Sequence, residues 1–312
     1  MLKPIHLLPK KPNLKFTERR RVFFIFSALL VAFSIGLFMT RSLNYGIDFQ
    51  GGIMIEIRTP TPGNIGQMRS DLSGLGLGEI NIQEFGEVTD FLIRVQKQDG
   101  GERAQQVAVE KVKATLPSNI EYRRTEFVGP QVSQELFRDG VLAVLFAIFG
   151  ILAYIWFRFE WQFGLGAIIA LSHDVVTTIG IFALTGLEFN LSTVAAILTI
   201  AGYSINDTVV VYDRVRENLR KYKTMPLPEL LNNSINETLS RTVMTSVTTL
   251  LALGSLYVLG GEVIRGFSFG MIWGVLIGTY SSICLAVPLL LYLKVDRGTD
   301  MSNARTAQEP AE

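Results

Sequence analysis

One cysteine and two histidines in 312 residues leave little from which to build a metal, redox or nucleophile site. Cys284 has no second cysteine to pair with, so no intramolecular disulfide forms. No phosphate-binding glycine loop and no nucleophile motif occurs. The chain is therefore not expected to be an enzyme or to bind a cofactor or metal. Its charge is nearly balanced, with 29 Lys and Arg against 28 Asp and Glu. No basic run is interleaved with aromatic residues, which argues against a nucleic-acid platform.

Apolar residues, by contrast, make up 48% of the chain, and the 18% that are charged concentrate outside the apolar runs. Six runs approach or exceed the length needed to cross a bilayer, about 20 residues: 22–40, 140–157, 163–185, 191–212, 242–259 and 267–293. Arg19, Arg20 and Arg21 precede the first, as in a signal peptide, but the run is long and no small-x-small cleavage site follows. It reads as an uncleaved anchor.

Lys and Arg in the short flanks set the orientation. Lys3, Lys10, Lys11, Lys15 and Arg19–Arg21 precede span one; Arg214, Arg216, Arg220, Lys221, Lys223 and Arg241 lie between spans four and five; Lys294, Arg297 and Arg305 follow span six. The short loops on the opposite side hold only Arg265. Both termini (1–21 and 294–312) are thus expected in the cytoplasm, and 41–139 is expected to be a translocated domain.

That domain has its own pattern. Residues 53–59, 79–85, 91–96 and 119–127 read as strands, with a turn through Gly86 and Asp90; 62–75 and 102–116 read as helices. Ala104, Val107, Ala108, Lys111 and Val112 share one face of the second helix. The order strand, helix, strand, strand, helix, strand is the ferredoxin-like, split βαβ order. The fold class is a multi-pass α-helical membrane protein, six transmembrane helices with a ferredoxin-like α+β periplasmic domain between helices 1 and 2. A loop over 213–241 contains Pro226 and Pro228 and a weakly amphipathic helix over 229–241, with Leu230, Leu231, Ile235 and Leu239 on one face. That helix is expected to lie along the membrane surface.

Two carboxylates stand inside the apolar runs. Asp174 lies in FGLGAIIALSHDVVTTIGIFAL (163–184), and Asp207 in LSTVAAILTIAGYSINDTVVVY (191–212). A carboxylate at bilayer depth costs about 2.5–3.5 kcal/mol on insertion scales. Such a residue either ties helices together as a hydrogen-bonded group or faces a wet path for ions or protons. Asp207 stands five residues inside the cytoplasmic end of its span, roughly 8 Å at 1.5 Å per residue. Tyr203, Asn206, Thr199 and Ser204 are its polar neighbours. Arg241 either snorkels at the membrane surface or turns inward towards Asp207. Gly266, Gly270, Gly274 and Gly278 recur every fourth residue, followed by Ser282 and Ala286. Such a strip lets another helix approach closely, either as tight packing inside the chain or as a sliding or partner-binding seam.

The motifs YGIDFQGG (45–52), VGP (128–130), SHDVVTT (172–178), YSINDTVVVYDRVREN (203–218), SRTVMTSVTTLLA (240–252) and FSFGMIWGVLIGTYSS (267–282) occur in this order. In that order they resemble the SecD/SecF family of bacterial protein-export membrane proteins, within the resistance-nodulation-division superfamily. The resemblance runs from about Thr17 to Leu293; the segments outside it are expected to be disordered. It implies half of a twelve-span inner-membrane unit whose other half is SecD. It implies association with the SecYEG channel and its export motor, and use of the proton-motive force to assist export of unfolded preproteins. It matches Asp207, Asn206 and Arg241 to the family's proton-coupling positions and places Asp174 in its His-Asp motif. Protons are the only coupling ion implied. The alternatives are a proton-driven small-molecule efflux subunit of the same superfamily and a membrane scaffold without ion coupling. Efflux members carry twelve spans in one chain, and a scaffold leaves Asp207 unexplained.

Overall fold

The structure is a computed structural model that describes residues 13–293 and Val295. Lys3, Lys10, Lys11, Lys294, Arg297, Arg305 and the segments expected to be disordered lie mostly outside the described residues. In chain order the elements are α1 (Arg20–Arg41), β1 (Asn44–Tyr45), α2 (Ile47–Gln50), β2 (Gly52–Arg58), α3 (Ile65–Ser73), β3 (Ile80–Phe85), β4 (Glu87–Val95), α4 (Gly101–Thr115) and β5 (Glu121–Val128). They continue with α5 (Pro130–Arg158), α6 (Trp161–Thr185), β6 (Glu188–Phe189), α7 (Leu191–Lys221), α8 (Leu227–Leu259) and α9 (Glu262–Ser281). A π-turn (Ser282–Ala286) and α10 (Val287–Leu289) close the described chain. Six of these helices are long and apolar enough to cross a membrane, α9 counting together with the π-turn and α10. The chain divides into two compact units, one of residues 44–144 with 187–194, the other of the remaining helical segments.

The first unit has the split βαβ arrangement. Its four-stranded sheet runs β3-β4-β2-β5, and every neighbouring pair is antiparallel. Alternation along β2 turns Ile53, Ile55 and Ile57 to one face, where they bury completely against Phe91 and Ile93 of β4 and Met68 and Leu72 of α3. Two details differ from the expected pattern. In α4 the inward face is Gln105, Ala108 and Val112, whereas Val107 is 49% exposed. Packing under the helix selects the stripe one residue away from the Ala104–Val107–Lys111 line. Asp90 is a strand residue rather than a turn residue: β4 starts at Glu87, directly after Gly86 (φ 88°). Its carboxylate is nearly buried because Arg58 grips both oxygens, at 2.6 and 2.7 Å. Glycine is required at the entry to β2, since Gly51 and Gly52 have φ of 72° and 115° and a Cβ on Gly52 would lie 2.6 Å from the Val95 carbonyl oxygen.

In the helical unit the main correction concerns 213–241, which is not a loop with a surface helix. The stretch after Tyr212 holds no Gly or Pro, so α7 continues to Lys221, and only 222–226 break the path before α8. Pro226 and Pro228 set the start of α8, where a missing N–H costs nothing. Leu230, Leu231, Ile235 and Leu239 do not face lipid: they bury with Val215 and Leu219 of α7 in the main helical core. Asn218 donates to Ser234 (2.9 Å) and Glu237 (3.0 Å) across the same seam. Asn232 and Asn236 hold the chain before α1 by the backbone of Phe16 and Leu14. Helices of 31 and 33 residues exceed a hydrocarbon core of about 30 Å, so both project beyond it.

The last long helix loosens into its π-turn just before Pro288, which has no N–H for the ladder. The Tyr212 hydroxyl, fully buried, donates to the Ala286 carbonyl oxygen at 3.1 Å. Gly166 leaves the room for it, because a Cβ there would strike the Tyr212 hydroxyl.

The sheet unit should fold alone. A soluble fragment of residues 47–128 is expected to melt cooperatively with mixed α/β circular dichroism. The Arg58 guanidinium, hydrogen-bonded to Asp90, holds that carboxyl below the usual carboxylate range, with Arg123 adding to the effect. A lowered pKa gives stability that is present above the unfolded value, about 4, and is lost as pH falls through the folded value. The fragment's denaturation midpoint should therefore drop on acidification below about pH 4. Asp90→Asn should start lower and flatten that part of the profile. An unchanged slope in Asp90→Asn would assign the acid sensitivity to other carboxylates.

Candidate functional site

The two intramembrane carboxylates sit in contrasting surroundings. Asp174, on α6, is fully buried. Its Oδ2 accepts from Ser204 Oγ of α7 at 2.6 Å and from Ser281 Oγ of α9 at 2.7 Å. Its Oδ1 lies 3.0 Å from His173 Nδ1. One carboxylate thus joins three helices. Thr177 and Thr178 donate to the Asp174 carbonyl oxygen, at 3.1 and 2.7 Å, so α6 consumes its own hydroxyls. The His173 ring lies 6.1 Å from the Tyr280 ring. The Tyr280 hydroxyl donates to the Phe23 carbonyl of α1 at 3.0 Å and lies 2.9 Å from Ser27 Oγ. The Ser246–Thr279 hydroxyl pair, at 2.7 Å, adds α8 to this set.

The glycine strip makes these bonds possible. A Cβ on Gly270 would touch the Phe182 ring, one on Gly274 would collide with Ile200, and one on Gly278 would press on Ser204 at 3.2 Å. Bare backbone brings α9 against α7, and Ser281 then reaches Asp174. Three of the four glycines are filled from within the chain; Gly266 is half-buried.

Asp207, on α7, is 3% exposed, and its Oδ2 is enclosed with no hydrogen-bond partner among the described residues. The buried hydroxyls of Thr208 and Thr242 and the Tyr203 hydroxyl are likewise unpartnered there. The polar neighbours expected to orient Asp207 do not bond to it. Ser204 serves Asp174 instead, Thr199 donates to the Ala195 carbonyl at 2.8 Å, and Asn206 is exposed. Helix geometry is the reason, since positions 199 and 206 lie on another face of α7 from Ser204 and Asp207. Arg241, on α8, is exposed, and no ion pair joins it to Asp207 among the described residues. A proton can therefore bind or leave Oδ2 without breaking a hydrogen bond, whereas a proton taken up at Asp174 Oδ2 displaces a serine. Sequence reasoning passed over Ser281 and did not connect Ser204 with Asp174. The available signal was a serine three residues after Gly278, beside the small-residue strip.

This fold and site define a membrane protein of six long apolar helices, with an α+β insert after the first and buried carboxylates on the third and fourth. The family profile described as Protein export membrane protein SecD/SecF, C-terminal, matches residues 108–296, and that of the SecD/SecF GG Motif matches residues 36–59. A protein translocase subunit SecF of Cereibacter sphaeroides is 48% identical over 98% of this chain and 97% of its own length. One of Rickettsia bellii is 48% identical over 92% of this chain and 95% of its own. The crystal structure of SecDF, a translocon-associated membrane protein from Thermus thermophilus, superposes with a TM-score of 0.84 at 38% identity, covering 93% of this chain. This chain spans 40% of that solved chain. The chain belongs to the SecD/SecF family of protein-export membrane proteins.

Gly274→Leu drives a side chain into Ile200 and should destabilise the helical unit by more than the 1–3 kcal/mol or so usual for overpacking. Ala195→Leu, at an exposed site on α7, should be nearly silent. Thermal midpoints in mild detergent separate the two. Equal midpoints would show that α9 and α7 are not in close contact at Gly274.

Proposed function

We propose that this chain is the SecF-type subunit of the bacterial Sec protein translocase, lying in the inner membrane. With SecD it uses the proton-motive force to assist export of unfolded polypeptides. One observation carries the proton part: Asp207 is buried in α7 with an enclosed, unpartnered oxygen, within electrostatic reach of Arg241. A carboxylate that can change charge without breaking a hydrogen bond suits a proton carrier, and an arginine nearby tunes it. Moving one charge through the membrane potential yields about 2.3 kcal/mol per 100 mV. That is enough to bias a two-state structure. Asp174, tied by two serines and next to His173, is suited to hold α6, α7 and α9 in register. It is the second candidate for the carrier. Asn206 and Arg241 are exposed in the isolated chain, open to water or to a partner. The proton is the coupling ion, and no bound cofactor enters the scheme.

Partnership with SecD is supported by the solved SecDF chain, of which this chain matches two-fifths. The relatives' name, protein translocase subunit, supports association with the SecYEG channel, its motor and unfolded preproteins. The positive charges around the 222–226 break, on α7 and at Lys223, support cytoplasmic termini with 41–139 on the opposite side.

Two outcomes test this reading. Asp207→Asn keeps size and some hydrogen bonding but cannot titrate. The chain should still insert and bind its partner, ATP-driven export should be spared, and gradient-stimulated export from membrane vesicles should fall strongly. Arg241→Met should share the defect. Normal gradient stimulation in Asp207→Asn would pass the role of carrier to Asp174. For orientation, single cysteines at positions 225 and 100 in a Cys284→Ser background should label differently with an impermeant maleimide on intact spheroplasts. Position 100 should react and position 225 should not; the reverse would invert the topology.

A further inference from the structure

The motif YGIDFQGG (45–52) has no part in the carboxylate chemistry, yet its residues converge on one short segment, 188–191. Asn44 and Tyr45 pair in parallel with Glu188 and Phe189, and the Gly46 N–H donates to the Phe189 carbonyl at 2.9 Å. A Cβ on Gly46 would meet the Glu188 carboxylate, so glycine there leaves that carboxylate its place beside Arg94. The Tyr45 and Phe49 rings each lie 6.1 Å from the Phe189 ring. Arg94, reaching from β4, donates to Glu188 at 2.6 Å and to the Asn44 side chain at 2.7 Å. The single turn α2 then presents Asp48, whose Oδ2 accepts from the Leu191 N–H at 3.0 Å.

Leu191 is the first residue of α7, and the first N–H groups of a helix have no partner within it. Asn190 covers the Thr193 N–H with its own side chain at 3.1 Å, the usual local cap. The Leu191 N–H is instead covered from 143 positions away in sequence. A carboxylate there also opposes the positive end of the helix dipole.

We propose that the 45–52 motif is a coupling latch. In it Asp48 is a positioning residue that caps α7 and makes the first turn of that helix move with the sheet unit. The consequence follows from the chain itself. The first turn, 191–194, belongs to the sheet unit, and the same uninterrupted helix carries Asp207. Sixteen residues of helix separate Leu191 from Asp207, roughly 24 Å at 1.5 Å per residue. A change at Asp207 is thereby transmitted along α7 to the sheet unit, and the reverse. Gly51 and Gly52 complete the latch by turning the chain from the capping turn straight into β2. This inference rests on the proton-coupled reading above.

The test uses the full chain with its partner in membrane vesicles, a Cys284→Ser background and a reporter Thr193→Cys at a buried position of the first turn, which reacts only when that turn opens. Asp48→Ala should raise the maleimide labelling rate at the reporter about fivefold, the opening expected when one cap is lost. It should cut gradient-stimulated export to half or less while ATP-driven export and complex assembly stay unchanged. Asp48→Asn, which keeps an acceptor oxygen, should restore both. Glu188→Gln, which loosens the Arg94 tie without touching the cap, should lower gradient-stimulated export alone and serves if Asp48→Ala fails to assemble. Unchanged labelling in Asp48→Ala, unchanged export, or an Asp48→Asn variant as defective as Asp48→Ala would each overturn the latch. Normal gradient-stimulated export by Asp207→Asn would count against the proton reading instead, and the labelling rate would still decide whether Asp48 caps α7.

Discussion

The close approach of α9 to α7 is the interaction on which the helical unit depends. In a bilayer there is no hydrophobic drive between helices, because lipid tails are as apolar as leucine. Association comes from surface contact and from hydrogen bonds that have no competing water. Gly270, Gly274 and Gly278 supply the contact by letting Phe182, Ile200 and Ser204 rest on bare backbone. The same proximity brings Ser281 to Asp174. Filling the strip would therefore cost packing and also strand a buried carboxylate.

From this geometry follows a difference in surroundings between two carboxylates that look alike in composition. Asp174 receives two hydroxyl donors and stands beside an imidazole, so its polar demand is met inside the protein. Asp207 receives none on its enclosed oxygen among the described residues. The two carboxylates thus differ in how their hydrogen-bonding needs are met among the described residues. A buried polar atom without a partner is rare in folded proteins and calls for a reason.

The sheet unit is stabilised by ordinary means, an apolar core of Ile53, Ile55, Ile57, Phe91 and Ile93 under two helices. Its distinctive contacts gather on the 188–191 segment. There the aromatic rings of Tyr45, Phe49 and Phe189, the Arg94–Glu188 ion pair and the Asp48 cap all meet within a few residues of the start of α7. Loops in such positions are normally the softest parts of a fold. Here the connector is held by side chains from both β4 and the 44–49 segment.

Periodicity and charge alone carried the six spans, the order of strands and helices in the insert, the glycine strip and the presence of two costly carboxylates. Each is a local pattern along the chain, and bilayer thickness and the pleat of a strand turn such patterns into structure. The sequence misled where a local pattern had two physical outcomes. Leu230, Leu231, Ile235 and Leu239 form an apolar stripe that fits a membrane surface as well as it fits α7, and only the folded chain shows that α7 extends to meet it. Ser204 lies three residues before Asp207 in sequence, yet it bonds to Asp174 on another helix. Which carboxylate is satisfied and which is left open depends on contacts between residues 30 to 107 positions apart. Spacing along one helix fixes the face a residue occupies, but only tertiary packing determines what that face meets.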